Sequence, residues 1–388
     1  MTDAKIFSKH FLAGTFANFF VYIQYYVLIV TITTFAKDSY GASISSAGFA
    51  ASVFILGALV ARFLSPIVMK ALGRRRTMLS GLALIVALCL AYLVSNSLPT
   101  LLVLRALHGF AYGISQTAIT SLVTSRIPIA HHGEGIGYFM LSITVGSAIG
   151  PFIGTASMNL LSFQTLFLIC AGISAAALLF AFAMGAEPKL AEHIEEPKKK
   201  ISLSTFIEPG ALPISLVTAL IYFGYGTVLT YLNSYATELD LVKAAGAFFI
   251  VYAVVMFIIR PFTGRLFDER GDTVVMVPGY AAVAVALAVL AFASNSFTLL
   301  LSAALLGAGI GATQPAGLAL AIKNSPKGHL DVANSTYFVF MDAAIGVCPL
   351  VLGWMVPAFG YRGLYWAVTA IAALALLAYL LCKRTKKI

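Results

Sequence analysis

An all-α integral membrane protein of about twelve transmembrane helices, arranged as two related bundles of six, is the fold class this sequence predicts. Three observations carry the prediction. Of 388 residues 60% are hydrophobic and only 10% are charged; the apolar residues fall in long runs; and a sequence pattern recurs from Arg62 to Arg260. A soluble domain carries about 25% charged residues, so water is not the main solvent of this chain. Runs of roughly 20 apolar residues are long enough to cross a hydrocarbon core of about 30 Å as helix. Helices also satisfy their own backbone hydrogen bonds, which lipid demands. The first run begins near Phe11 and passes Thr31 without a small-residue cleavage pattern, so it reads as a span and not a removable leader.

Taken in order, the spans are expected at about 10–35, 45–69, 77–95, 100–125, 135–157, 164–186, 210–236, 244–266, 273–294, 298–322, 332–357 and 363–382. Segments such as "SNSLP" and "SNSF" supply the turns. With both termini in the cytoplasm, 19 of the 25 Lys and Arg residues fall in cytoplasmic loops or tails, and the positive-inside rule selects that orientation, in a cell inner membrane. The longest polar stretch, "EPKLAEHIEEPKKK", divides the chain into residues 1–186, a linker at 187–209 and residues 210–388. The formal net charge of +10 is scattered among short loops, so it is explained by topology and not by nucleic-acid binding. Cys89, Cys170, Cys348 and Cys382 show neither C-x-x-C nor Cys/His ligand spacing, and neither a metal nor a cofactor is expected.

The repeat supports the division. "RFLSPIVMKALG" and "RPFTGRLFDERG" each close the second span of their half, and the shift that maps Arg62 to Arg260 also maps Gly109 to Gly307, Gly113 to Gly311, Gln116 to Gln314 and Pro151 to Pro349. Two six-helix halves related by an axis along the membrane normal, with a substrate site near the midplane, form a recurring secondary-transporter plan.

These residues resemble the major facilitator superfamily, and within it the drug:proton antiporters. "PIVMKALGRRR" is similar to the superfamily loop G-x-x-x-D-R-x-G-R-R, keeping Gly73, Arg74 and Arg75 but with Pro66 and Lys70 where Gly and Asp are expected; the second copy, "GRLFDERG", retains Gly264, Asp268 and Gly271. "LRALHGFAYG" resembles R-x-x-q-G-x-g through Arg105, Gly109 and Gly113, with His108 in place of glutamine, and "GSAIGPFIG" resembles the exporters' G-x-x-x-G-P-x-x-G at Gly146, Gly150, Pro151 and Gly154. The resemblance implies gating at Lys70, Gly73, Arg74, Arg75, Gly146, Gly150, Pro151, Gly154, Arg260, Gly264, Asp268 and Gly271. It implies a cavity lined from spans one, four, seven and ten by Asn18, Tyr22, Gln24, Tyr25, Arg105, Tyr112, Gln116, Tyr222, Tyr225, Asn233 and Gln314. Aromatic walls with a few polar groups suit an amphipathic organic molecule.

Charge inside the spans is the sharper signal, because an ionisable group at bilayer depth is costly and tends to mark an ion pathway. Arg62, Arg105, Arg260, His108 and Asp342 lie within spans, with Glu208 at an edge. Asp342 is the deep carboxylate, either the proton carrier or half of a structural ion pair; in the resembled fold Arg62 faces it. His108, which titrates near neutrality, is a relay or a hydrogen-bonded wall. Arg105 either faces the cavity or pairs with backbone carbonyls. The glycines recurring every four residues on span five serve packing or a moving interface. No P-loop, catalytic triad or zinc spacing is present, so an enzyme is not expected. The expected function is proton-coupled efflux of a small amphipathic compound by a monomer, with protons and the lipid bilayer as its other partners. Uptake or exchange of a polar metabolite or anion is the alternative, and a non-transporting receptor or scaffold a remote one.

Overall fold

The computed structural model describes residues 6–42, 44–185, 205–326, 328–352 and 355–385. Residues 187–204 of the expected linker, with Lys5, Lys327 and the terminal Lys386 and Lys387, lie outside the described residues. Within them run twelve long helices: α1 (Lys9–Tyr40), α2 (Ile44–Leu72), α3 (Arg74–Ala91), α4 (Leu98–Thr124), α5 (His132–Leu160), α6 (Phe163–Ala183), α7 (Leu212–Glu238), α8 (Val242–Arg270), α9 (Thr273–Ala291), α10 (Ser296–Lys323), α11 (Leu330–Leu352) and α12 (Val356–Arg384). Each expected span is therefore a helix. Ten are long and apolar enough to cross a membrane by length and composition; α4 and α11 are the other two. In α4 the polar residues account for this, namely Arg105, His108, Gln116 and a run of Ser and Thr; α11 carries Asp331, Asn334 and Asp342.

The expected turns end the helices by side-chain capping. In "SNSLP" Ser97 accepts from the Thr100 amide and Pro99 occupies the first turn of α4. In "SNSF" Asn295 and Thr298 form a reciprocal capping box for α10. Gly73 and Gly271, equivalent in the repeat, have φ of 82° and 83°, the left-handed region in which a side chain would be strained, and each ends the second helix of its half.

The chain forms two compact units. Unit 1 comprises residues 1–128, 142–206 and 330–335; unit 2 comprises 129–141, 207–329 and 336–388. The start of α5 thus packs in unit 2 and the start of α11 in unit 1. In unit 1, α4 lies so close to α2 that a Cβ on Gly109 would strike the Phe54 carbonyl and one on Gly113 the Ala58 carbonyl. In unit 2 the same shift reproduces the crossing: Gly307 meets the Tyr252 carbonyl and Gly311 meets Met256.

The glycines of α5 also acquire a partner. Gly146 lies on Tyr22, Gly150 on Tyr26 and Gly154 on Val30, and one turn earlier Asn18 Nδ2 donates to Ser142 Oγ at 2.7 Å. Four rungs spaced by four residues on both helices make a close parallel seam between α1 and α5, wholly inside unit 1. Unit 2 inverts one rung: Gly226 of α7 sits against Cys348 of α11. There the large residue has moved to the other helix and the volume is conserved.

Candidate functional site

In unit 1, Tyr22, Tyr25 and Tyr112 gather with Phe54. Tyr25 stacks on Tyr112 with ring centres 5.1 Å apart and lies 5.4 Å from Phe54, while Gln116 Nε2 donates to the Tyr22 hydroxyl at 3.1 Å. The spacing of aromatic residues along α1 and α4 places them on facing stripes. Among the expected cavity residues, Tyr22, Tyr25, Tyr112 and Gln116 therefore meet, while Asn18 is held on Ser142.

Gln24, Arg105 and His108 form a second, separate group. Gln24 Nε2 lies 3.2 Å from His108 Nε2, and the Tyr92 hydroxyl lies 2.9 Å from His108 Nδ1. The amide as placed donates to Nε2, which leaves the ring proton on Nδ1 facing Tyr92. Gln24 also reaches Cys89 Sγ at 3.7 Å, and Cys89 reaches Ser174 Oγ at 3.8 Å. Arg105 is fully buried. Its Nε donates to the Ala50 carbonyl at 3.0 Å, and its guanidinium carbon stands 4.4 Å over the Phe54 ring. Its Nη1 and Nη2 have no hydrogen-bond partner among the described residues, although the Tyr92 hydroxyl lies beside the group.

In unit 2, Tyr222 packs edge-on to Tyr225 at 5.7 Å, and Tyr225 stacks on Tyr252 at 5.5 Å. The cluster repeats that of unit 1, with the α7 tyrosines shifted by 200 and not 198 positions, because α7 ends two residues sooner after its tyrosines than α1 does. Gln314 accepts from Arg260 Nη2 and its carbonyl accepts from the Tyr337 hydroxyl. Arg260 also donates to the Met140 carbonyl, so both terminal nitrogens of this buried arginine are engaged, one by an amide and one by α5. Asp342 is half-buried, close to the middle of α11, about 18 Å along the helix from Leu330. The Asn233 side chain lies outside what is described.

The expected gating residues separate into two junctions. At the first, in unit 1, Arg74 Nε donates to both oxygens of Asp331, at 2.7 and 3.0 Å, and Ser335 Oγ donates to the Arg62 carbonyl. Lys70 is exposed and Arg75 partly so. At the second, in unit 2, the Asp268 carboxylate accepts the Gly133 and Glu134 amides, each at 2.8 Å, while Arg265 pairs with Glu134 at 2.8 Å. Gly264 and Gly133 let the two backbones touch. Asp268 thereby caps the start of α5 from another helix, where exposed amides and the helix dipole favour negative charge. Gly271 follows Asp268 at the end of α8. Pro151 lies inside α5, beyond this junction.

Several participants were not foreseen. Phe54, Cys89, Tyr92, Ser142 and Ser174 sit in apolar runs with no local pattern to distinguish them, and Asp331 lies 257 positions from Arg74. Glu208, expected only at a span edge, is buried; its Oε2 lies 2.6 Å from His329 Nδ1. Among the described residues no cluster of His, Cys, Asp or Glu is suited to a metal ion.

A family model described as the Major Facilitator Superfamily matches residues 14–274 and again 214–387. An MFS-type transporter of Burkholderia mallei (strain SAVP1) is 26% identical over 369 residues, covering 92% of this chain and 89% of the relative. The multi-drug resistance efflux pump PmrA of Streptococcus pneumoniae is 26% identical over 355 residues, covering 87% and 86%. In fold, the chain is similar to the human organic anion transporter MFSD10, with a TM-score of 0.79 at 14% identity, over 95% of this chain and 98% of that one.

Proposed function

The chain belongs to the Major Facilitator Superfamily, a family of transporters and not of enzymes, and on that footing we propose that it exports a small amphipathic organic compound in exchange for protons by alternating access. The carrying observation is Asp342. Every other described Asp or Glu lies in a loop or near a helix end, whereas Asp342 is near the middle of a long helix. A coupling proton needs a group whose affinity changes as its surroundings alternate between desolvated and wet or cation-facing. The relative named as a multidrug efflux pump supports the outward direction, and each unit has its own tyrosine cluster of the kind that an amphipathic cargo favours. The Gln24–His108–Tyr92 chain is the second proton-handling group in this proposal. An inner membrane location with both termini cytoplasmic, and a monomeric state, complete it.

The test is transport in inverted vesicles. Acidifying the vesicle interior should drive accumulation of a dye or drug substrate, and adding substrate should dissipate the pH gradient. Accumulation that persists in the presence of a protonophore, or proton-driven transport that survives in Asp342→Asn, would sink the proposal. The alternative, uptake or exchange of an organic anion, is favoured by one observation, the two open N–H arms of Arg105. It predicts that an anionic substrate moves down an imposed substrate gradient without a pH gradient.

A further inference from the structure

The two units solve the same packing problem with opposite chemistry. Around Arg105, unit 1 places Gln24, Cys89, Tyr92, His108, Cys170 and Ser174. The repeat puts Gly224, Leu287, Leu290, Ala303, Leu306, Val368 and Ala372 at the corresponding places in unit 2, and all of these are buried. The correspondence is spatial and not only numerical. Gln24 reaches Cys89, and a Cβ on Gly224 would meet Leu287 and Val368, the counterparts of Cys89 and Cys170. The helix arrangement is thus built without any of the polar groups, and an apolar version of such a core is usually at least as stable.

Arg105 is the costly member. A guanidinium is not neutralised by losing a proton at any biological pH, so its charge has to be compensated where it stands. One carbonyl and one aromatic face offset part of the burial, the latter through the attraction of a cation to the ring. The described carboxylates of unit 1 are two: Asp38, exposed near the end of α1, and Asp331, engaged by Arg74. Nη1 and Nη2 remain, fully buried and without a hydrogen-bond partner, beside a phenol, an imidazole and two thiols. The Tyr92 hydroxyl, which accepts the His108 proton, can donate its own proton to an anion, and none of these neighbours carries a negative charge of its own.

We infer that this cluster in unit 1 binds a small monovalent inorganic anion, of the halide class, on Nη1 and Nη2 of Arg105. A single guanidinium balances one negative charge, and the two Nη groups with the Tyr92 O–H replace the water lost by a weakly hydrated ion. Sulfate or phosphate would bring more charge and lose more hydration than the group offsets. The inference does not depend on proton-coupled export, since the anion belongs to the folded unit whatever drives transport.

The purified protein is melted in sodium gluconate, with chloride, bromide, sulfate or acetate substituted at constant ionic strength. Chloride and bromide should raise the melting temperature in a saturable way, as a ligand bound only by the folded state does, while sulfate and gluconate should not. Arg105→Gln should abolish the halide response. Should that variant fail to fold, crystals of the unaltered protein grown in bromide provide the decisive measurement, with an anomalous peak expected against Nη1 and Nη2. Equal melting in chloride and gluconate, a full halide response in Arg105→Gln, or no anomalous peak at the guanidinium would overturn the assignment. So would a response to acetate without one to halides, which would assign the arginine to the carboxylate of an organic cargo. The vesicle assay reads proton coupling separately, so failure of one proposal is distinguishable from failure of the other.

Discussion

Where α11 begins, Asp331 of its own first turn takes two hydrogen bonds from Arg74, the residue after the α2 turn glycine. Where α5 begins, its first amides donate to Asp268, which lies on the neighbouring helix α8. The two places are equivalent in the repeat: Lys70 corresponds to Asp268, and Gly133 to Asp331. The acid has changed sides. Each junction joins one carboxylate to the start of an incoming helix, but in unit 2 the acid faces backbone amides and in unit 1 it faces a guanidinium. A helix N-terminus and an arginine are chemically similar donors, both presenting convergent N–H groups with positive potential, so either satisfies a carboxylate. The replacement of an expected Asp by Lys70 is therefore a relocation of the contact and not its loss.

The largest effect should come from splitting the more buried pair. Arg74 is buried and Asp331 mostly so, and Arg74→Gln strands the carboxylate, at a cost of about 3 kcal/mol if the site behaves as a buried pair. Adding Asp331→Asn should return most of the lost thermal stability. A double variant no better than the single one would show that the contact acts by itself and not as a pair.

A smaller loss is expected at the second junction, where Asp268→Asn keeps one acceptor but removes the charge that caps α5, costing about 1–2 kcal/mol. Amide exchange at Gly133 and Glu134 should accelerate more than exchange elsewhere in the unit. The same substitution should also expose the face that carries the junctions to a cysteine reagent more than Lys70→Gln does, and equal labelling of the two variants would contradict the difference between the junctions. Lys70→Asp restores the acid at an exposed position whose partner role Asp331 already fills. It should leave melting almost unchanged; a clear gain would mean that the relocated contact is incomplete.

The smallest effect concerns Asp272, the counterpart of Arg74. Burial opposes its ionisation, but hydrogen bonds from Lys383 and Tyr379 and the charge of Lys383 outweigh that and hold the carboxyl below the usual aspartate range. A depressed carboxylate pKa stabilises the fold above the unfolded value near 4 and ceases to do so as pH falls through the folded one. Melting of the wild type should therefore decline on acidification below about pH 4 by more than that of Lys383→Gln. Parallel declines would remove the linkage.

The sequence alone determined the twelve helices, because hydropathy, short capped turns and the absence of water as solvent leave a chain few ways to satisfy its backbone. The segments "SNSLP" and "SNSF" turn where the sequence put them, and Gly73 and Gly271 turn where the repeat put them. The equivalence of Gly109 and Gly307 was also legible in the repeat, and the structure shows what it serves, a close approach of two helices in each unit. What the tertiary structure decided was which polar groups meet. Gly146, Gly150 and Gly154 fit packing and motion equally well as letters, and their place along α1 puts them in a seam of unit 1. Arg105, Gln24 and His108 have the same side chains wherever their helices point; only the arrangement of α1, α3, α4 and α6 around them encloses an arginine among thiols and hydroxyls with no carboxylate beside it. The physical reason is range: backbone satisfaction and turn chemistry act over a few residues and leave a periodic trace, whereas Arg74 and Asp331 lie 257 positions apart and are paired only by folding.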